Sequence, residues 1–112
     1  MKTEKINFVA INTITAESDY RDRFEELFKS RAHAIDRMDG FQSMHVLKPS
    51  DGEGNYLIVS YWDSEEHFKN WTGSAEFKEG HKRGFADLIK ARKEGKKPPM
   101  TSGFKTYTIL TR

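Results

Sequence analysis

One histidine lies between two phenylalanines at helical spacing, and this is the pattern in the sequence that most suggests chemistry. Phe77, His81 and Phe85 are four residues apart, so a helix would place them on nearly one face. Gly80 and Gly84 remove side chains beside the imidazole. A flat, bulky ligand could therefore lie against this helix. Taken alone, the same spacing is also common for a histidine at the edge of a hydrophobic core.

The composition narrows the classes of site that the chain can form. Its 112 residues fit one domain, residues 1–112, with a core large enough to fold without metal or disulfides. The sequence contains no cysteine, which excludes disulfides, thiolate metal sites and covalent haem attachment through a Cys-x-x-Cys-His motif. The net charge of +2, with Lys and Arg interleaved among Asp and Glu, argues against a nucleic-acid partner.

The N-terminal segment and the hydropathy of the chain predict a protein of the cytoplasm. Residues 1–5 lead into a strand pattern without the apolar core of a signal peptide. No apolar run approaches the length that spans a membrane. We therefore expect no membrane partner.

Hydrophobic periodicity predicts four strands and two helices that would position these residues. The predicted strands are residues 6–14, 41–47, 56–62 and 104–110. The first helix would be capped by Ser18 or Asp19 and run to about Met38. The second would open near Asp63, break at Gly73 and continue toward residue 91.

The order β-α-β-β-α-β is that of a ferredoxin-like α+β fold, in which two helices cover one face of a four-stranded antiparallel sheet. The strand at residues 56–62 is apolar on both faces, including Leu57, Val59 and Tyr61 on the side away from Trp62. A face exposed to water would be polar instead. The simplest interpretation is a homodimer in which two sheets pack face to face.

Several residues resemble a known family when they are taken together. Asn12 on the first strand, Phe28 and Arg31 on the first helix, Trp71 at the predicted kink and His81 resemble the IsdG-type haem-degrading monooxygenases. These belong to the antibiotic biosynthesis monooxygenases of the dimeric α+β barrel superfamily. The resemblance covers about residues 8–85 and combines features of the mycobacterial and staphylococcal branches.

The resemblance implies that haem is both cofactor and substrate. His81 would be the proximal ligand of the iron, Asn12 would form a hydrogen bond near the distal oxygen ligand, and Trp71 would press on the porphyrin and distort it. Oxidative opening of the ring, with an external electron donor or reductase, would release iron. The remaining cofactor-binding residues would be Phe28, Arg31, Phe77, Gly80 and Gly84, with Arg31, or Lys78 and Lys82, pairing with the propionates.

Two other functions remain open at this stage. The same superfamily includes cofactor-free quinol or polyketide monooxygenases, and a haem-binding protein without turnover would use the same residues. Trp71 could equally be a core anchor at a helix break. Asn12 could bond a neighbouring backbone group at a bulge.

Overall fold

The computed structural model describes residues 5–112, and residues 1–4 of the segment predicted to lack a signal peptide lie outside that range. Its strands form one antiparallel sheet in the order β2-β3-β1-β4. The elements are β1 (Phe8–Ala16), α1 (Arg21–Lys29), β2 (Phe41–Leu47), β3 (Tyr56–Trp62), α2 (Glu65–Thr72), α3 (Ala75–Lys93) and β4 (Met100–Thr108). The predicted ferredoxin-like α+β fold is confirmed, with the second helix divided in two.

The core lies between the sheet and the helices and consists of two separate clusters. Ile14 of β1 packs in the cluster built around Phe24 and Tyr56. Phe8, at the other end of the same strand, packs in the cluster around Trp62 and Trp71. The two clusters therefore lie at opposite ends of β1, and the positions between them on the same face are Ala10 and Asn12.

The first helix is much shorter than predicted, and the prediction that it runs to Met38 is wrong. A 3-10 turn at Ser18–Tyr20 precedes α1, whose N-terminus has no side-chain cap, so neither predicted cap is used. After Lys29 the chain leaves the helix, and His33 adopts a left-handed conformation with φ of 59°. A second 3-10 turn, Ala34–Arg37, then buries its first two residues. Their burial on the core side explains why the apolar spacing resembled a continuing helix.

The break predicted in the second helix is confirmed. The Ser64 hydroxyl accepts a hydrogen bond from the His67 amide at 3.2 Å and caps α2. Ser74 does the same for α3, accepting from the Phe77 amide at 3.1 Å. Gly73 lies between the helices, so each helix has its own N-terminal cap. This arrangement fixes the positions at which Trp71 and Phe77 meet.

Strands β2 and β3 match the prediction, whereas the bounds of β1 and β4 differ from it. Strands β2 and β3 have the predicted bounds. Strand β4 starts at Met100 rather than Phe104, because Met100 pairs with Ala16 and the Glu17 amide donates to the Pro99 carbonyl at 2.8 Å. Strand β4 ends at Thr108, two residues before the predicted end at residue 110. Strand β1 starts at Phe8, two residues after the predicted start at residue 6.

The sheet face away from the helices is rich in apolar residues. Val9, Ile11 and Val59 lie on this face in the centre of the sheet. Leu47 and Tyr107, near its edges, are each 46% exposed. Within residues 5–112, no helix is long and apolar enough to cross a membrane.

Candidate functional site

The predicted stripe of rings forms along α3. The rings of Phe77 and His81 are stacked with centroids 4.0 Å apart, and those of His81 and Phe85 are stacked at 5.3 Å. None of the residues of α3 is fully buried. Phe85 is 41% exposed and Ile89, one turn further on, is 54% exposed. The helix thus presents a partly open apolar face with one imidazole in the middle of it.

One nitrogen of the His81 ring forms a hydrogen bond within α3, and the other nitrogen has a lone pair that is free to bind a ligand. Its Nδ1 lies 2.7 Å from the backbone carbonyl oxygen of Phe77. Because a carbonyl can only accept, Nδ1 carries the proton, and in the neutral ring the lone pair is on Nε2. Burial lowers the pKa of His81 and outweighs the opposing effect of the Phe77 carbonyl. A neutral imidazole with one nitrogen fixed is the form that binds iron.

Trp71 connects this stripe to the core. It is 7% exposed and belongs to the same cluster as Phe8 and Trp62. Its ring centroid lies 5.2 Å from that of Phe77 and 6.0 Å from that of His81. Trp71 is therefore a core anchor, as one interpretation of the sequence held, and it also contacts the rings beside the candidate ligand.

Asn12 carries a buried polar atom without a partner. Its Oδ1 is enclosed and forms no hydrogen bond with any group in residues 5–112. The residue pairs with Ile58 of β3 and Phe104 of β4, in regular register and not at a bulge. An unpaired buried amide costs about 1–3 kcal/mol, and rotation of the amide by half a turn would present its N–H groups instead. A bound group with a polar atom would remove this cost, so Asn12 fits a ligand between the sheet and the helices.

Phe28 and Arg31 line a hollow of about 280 Å³ between α1 and β2. Met44, Val46 and Lys48 also line it. Asn12, Trp71 and His81 do not line this hollow. The structure therefore divides the predicted residues into two groups, one around His81 and Trp71 and the other at the end of α1.

Arg31 does not lie on the first helix, so that part of the prediction is wrong. It follows the end of α1, and its Nη1 donates to Oδ1 of Asp36 at 2.9 Å. The Asp36 carboxylate also lies 3.2 Å from Nδ1 of His33. Partial burial raises the pKa of Asp36, but the hydrogen bonds from Arg31 and His33 outweigh it and leave that pKa below its usual value. Arg31 is therefore already paired with a carboxylate.

The two glycines of α3 face protein atoms. A methyl group at Gly80 would lie 3.5 Å from Trp71 and 3.8 Å from Ala34. At Gly84 it would lie 3.5 Å from the terminal methyl of Met100. These are ordinary contact distances, so a methyl group would fit at either position and the packing of α3 does not itself require glycine there. That the glycines leave room for a flat ligand stays a prediction.

Comparison with known proteins identifies the family. Residues 7–83, more than half of the chain, match the antibiotic biosynthesis monooxygenase family. The chain belongs to this family. Within it, the chain is an IsdG-type member, as the resemblance predicted.

Curated relatives of this antibiotic biosynthesis monooxygenase domain are named haem oxygenases. It is 36% identical over 63 residues to the mycobilin-producing haem oxygenase of Mycobacterium tuberculosis, a match covering 56% of this chain and 60% of that relative. It is 32% identical over 77 residues to the staphylobilin-producing haem oxygenase of Staphylococcus epidermidis, covering 67% of this chain and 73% of the relative. The matched region thus spans less than two thirds of the mycobacterial relative.

Solved structures show the same antibiotic biosynthesis monooxygenase fold. MhuD, a haem degrader from M. tuberculosis solved with two haems in its active site, has a TM-score of 0.66 and 24% identity, covering 94% of this chain and 97% of that one. SnoaB, a cofactor-independent oxygenase from Streptomyces nogalater, also has a TM-score of 0.66, with 19% identity and 96% coverage of both chains. Because these two proteins differ in their use of a cofactor, the fold does not decide between them.

Some residues around the site in this family member were not predicted from the sequence. Phe104 of β4 is 65% exposed, and its ring lies 6.3 Å from that of Phe68 in α2. Its alternation with polar neighbours in β4 did not distinguish it from an ordinary strand residue. Arg83 of α3 donates three hydrogen bonds to the end of α1. No motif marks it, because its acceptors are mainly backbone carbonyls.

Proposed function

We propose that this protein is a haem-degrading monooxygenase that binds haem through His81 and opens the porphyrin, using dioxygen and electrons from an external donor. The observation that carries the proposal is the His81 ring, with Nδ1 fixed by the Phe77 carbonyl at 2.7 Å and Nε2 left with the lone pair. The relatives named haem oxygenase support the same assignment.

The roles of the chain's own residues follow from their positions. His81 would bind the iron through Nε2, and the Phe77 carbonyl would keep the ring in the correct tautomer and orientation. Asn12, on the sheet, would offer its amide to polar atoms inside the pocket. Trp71, fixed in the core and next to the His81 stack, would supply a rigid surface against the porphyrin.

Haem, when bound, would supply the redox-active iron and the ring carbons that are oxidised, with dioxygen as co-substrate. The protein's contribution is positioning and exclusion of water. Phe77 and Phe85 cover both sides of the imidazole with apolar rings. Such surroundings favour the neutral ring over the charged one, which keeps the lone pair available.

The haem propionates would be held by cations at the rim of the site. Arg31 is one candidate, although a propionate would have to share it with Asp36 or displace that carboxylate. Lys78 and Lys82 are exposed on either side of His81 and are the alternative partners. A bidentate pair with Arg31 would be the more directional interaction.

A homodimer would cover the apolar sheet face. On that face Leu47 and Tyr107 are half exposed and Ile11 is partly exposed, whereas Val9 and Val59 are already buried by their neighbours. Packing of two such faces would bury this surface and form the dimeric α+β barrel. Sedimentation or light scattering of the purified protein tests this part of the proposal, and a monomer would contradict it.

Titration with haem, followed by reduction under air, tests the proposed activity. We expect wild-type protein to form a complex with a shifted Soret band that bleaches when ascorbate is added, with ferrous iron trapped by a chelator. His81→Ala should lose the spectral signature of axial histidine. His45→Ala, which alters an exposed histidine of β2 that contacts none of these residues, is the matched control and should keep the spectral signature of axial histidine.

The outcomes separate the candidate functions. Absence of haem binding would contradict the proposal and favour the cofactor-independent class. A stable complex that keeps its Soret band under reductant and air would instead indicate a haem-binding protein without turnover. Unchanged axial ligation in His81→Ala would refute His81 as the iron ligand.

A further inference from the structure

We infer that Arg83 is a positioning residue that holds the His81 helix against the end of α1. It thereby fixes the group around His81 and Trp71 relative to the group at the end of α1. This inference rests on the proposed function for its consequences in haem binding. The hydrogen bonds of Arg83 do not depend on that proposal.

Arg83 connects two elements that each carry part of the site. Its Nη2 donates to the backbone carbonyls of Leu27 and Ser30, each at 2.9 Å. Its Nη1 donates to the Ser30 hydroxyl at 3.0 Å. His81 is two residues away on α3, and Arg31 directly follows Ser30. One guanidinium therefore joins the helix of the candidate iron ligand to the loop of the candidate propionate partner.

The end of α1 needs such a donor. The last carbonyls of a helix have no donor from the next turn and carry its negative dipole end. Here the Arg31 amide donates to the Phe28 carbonyl at 3.4 Å instead of continuing the helical pattern to Leu27. Arg83 supplies both the missing hydrogen bonds and a positive charge at this end. Its role is thus built into the point at which α1 stops.

Arg83 is also the middle member of a polar stripe along α3. Arg37 donates to Glu79 at 2.8 Å, and Asp87 accepts from the Tyr20 hydroxyl at 2.6 Å and from Arg23. Each residue of this polar stripe lies two positions after one of the three rings: Glu79 after Phe77, Arg83 after His81 and Asp87 after Phe85. Two residues correspond to about 200° around a helix, so the polar contacts hold one side of α3 while the rings lie on the other.

Polar contacts matter more for α3 than for a helix embedded in the core. None of its residues is fully buried, so the apolar packing of α3 is limited to partly buried contacts such as that of Phe77 with Trp71. Of the three polar contacts, the pair of Arg37 and Glu79 is half exposed on both sides, which makes it weak. Arg83 is also exposed and, like Glu79, lies two residues from His81, but it donates three hydrogen bonds, two of them to backbone carbonyls.

A double-mutant cycle tests the inference. Arg83→Met keeps the apolar stem of the side chain and removes its hydrogen bonds. We expect it to weaken haem binding about tenfold, the effect of losing one hydrogen bond to a charged group. In a His81→Ala background the same change should have little further effect, because Arg83 acts through His81. Arg92→Met, at an exposed position of the same helix, is the control and should change neither.

A second measurement on the ligand-free protein keeps the inference testable without haem. The His81 ring is stacked between two phenylalanine rings, so its carbon-bound protons should have ring-current-shifted NMR signals. Arg83→Met should move these signals toward the values of an exposed histidine. Ser30→Ala leaves α3 unchanged and removes the hydroxyl that accepts from Arg83, together with its hydrogen bond to the Glu26 carbonyl. It should produce a smaller shift in the same direction and provides a second test if Arg83→Met does not fold.

Equal weakening of haem binding by Arg83→Met with and without His81 would overturn the inference, since Arg83 would then not act through the position of His81. So would unchanged His81 signals in both variants. If wild-type protein bound no haem, the proposed function would fail, while the NMR comparison would still decide whether Arg83 positions His81.

Discussion

Replacement of Asn12 should make the ligand-free protein more stable while it impairs the proposed activity. The buried Oδ1 of Asn12 has no hydrogen-bond partner in residues 5–112. Leaving such a group unpaired costs about 1–3 kcal/mol, and Asn12→Leu replaces it with an apolar group of the same branching. We therefore expect the free energy of unfolding to rise by about that amount, or roughly 4–12 °C in Tm for a chain of this size.

Urea unfolding monitored by circular dichroism measures this change, and Asn7 provides the matched control. The side-chain amide of Asn7 donates to the carbonyls of Lys5 and Asp63, each at 3.1 Å, and its Oδ1 accepts from Arg112 at 2.9 Å. Asn7→Leu should therefore lower the free energy of unfolding by about 1 kcal/mol. The two substitutions are chemically identical and should have effects of opposite sign.

The same Asn12 variants separate a structural role from a functional one. Asn12→Leu should still bind haem, because His81 is intact, but should degrade it at least tenfold more slowly, roughly the value of one buried hydrogen bond. If Asn12→Leu and Asn12→Ala both destabilised the ligand-free fold by 1 kcal/mol or more, the amide would be satisfied in solution. The reasoning from its unpaired oxygen would then be wrong.

Three further predictions concern the surroundings of the site. Trp71→Ala should lose about 3–5 kcal/mol of stability because the side chain is in the core. Trp71→Phe is therefore the variant to assay by Soret bleaching. It should fold and bind haem but degrade it more slowly. Asp36→Asn should release Arg31 and tighten haem binding several-fold in an equilibrium titration; weaker binding would show that the ion pair holds Arg31 in place. Partial burial raises the pKa of Asp87, but hydrogen bonds from Arg23 and Tyr20 outweigh it and leave that pKa below its ordinary value. Asp87→Asn should therefore lower the free energy of unfolding in urea by about 1 kcal/mol at pH 7. This deficit should vanish as the pH falls below the ordinary pKa of 3.8 and through the folded-state value. A deficit that persisted at low pH would exclude the charged carboxylate as its source.

The sequence predicted those parts of the fold in which local pattern and tertiary packing agree. The bounds of β2 and β3 are set by turn residues and by strongly β-forming segments, and Ser74 marks its helix cap by residue type alone. The end of α1 could not be predicted in this way. Its carbonyls accept hydrogen bonds from Arg83, which is distant in sequence and reaches them from α3.

The candidate site was predictable to a similar extent. Helical spacing predicted the stacked rings around His81, and the carbonyl that fixes its tautomer belongs to Phe77, one turn earlier in that stripe. The sequence could not reveal that Asn12 is unpaired or that Asp36 already occupies Arg31. The first fact depends on which distant side chains the fold brings around β1, and the second on the turn that follows α1, where the predicted helix does not continue.

The absence of fully buried residues in α3 has a consequence for how a reaction cycle could end. Phe77, in the first turn of α3, packs against the cluster around Trp71, whereas no later residue of the helix packs in either core cluster. The part of α3 beyond Phe77 could therefore swing away from the sheet without opening the core. A cleaved tetrapyrrole is no longer flat and would fit poorly through an opening shaped for a disc. Outward movement of this one helix would provide an exit of adjustable width, and the rate of turnover would then depend on how firmly the helix is attached.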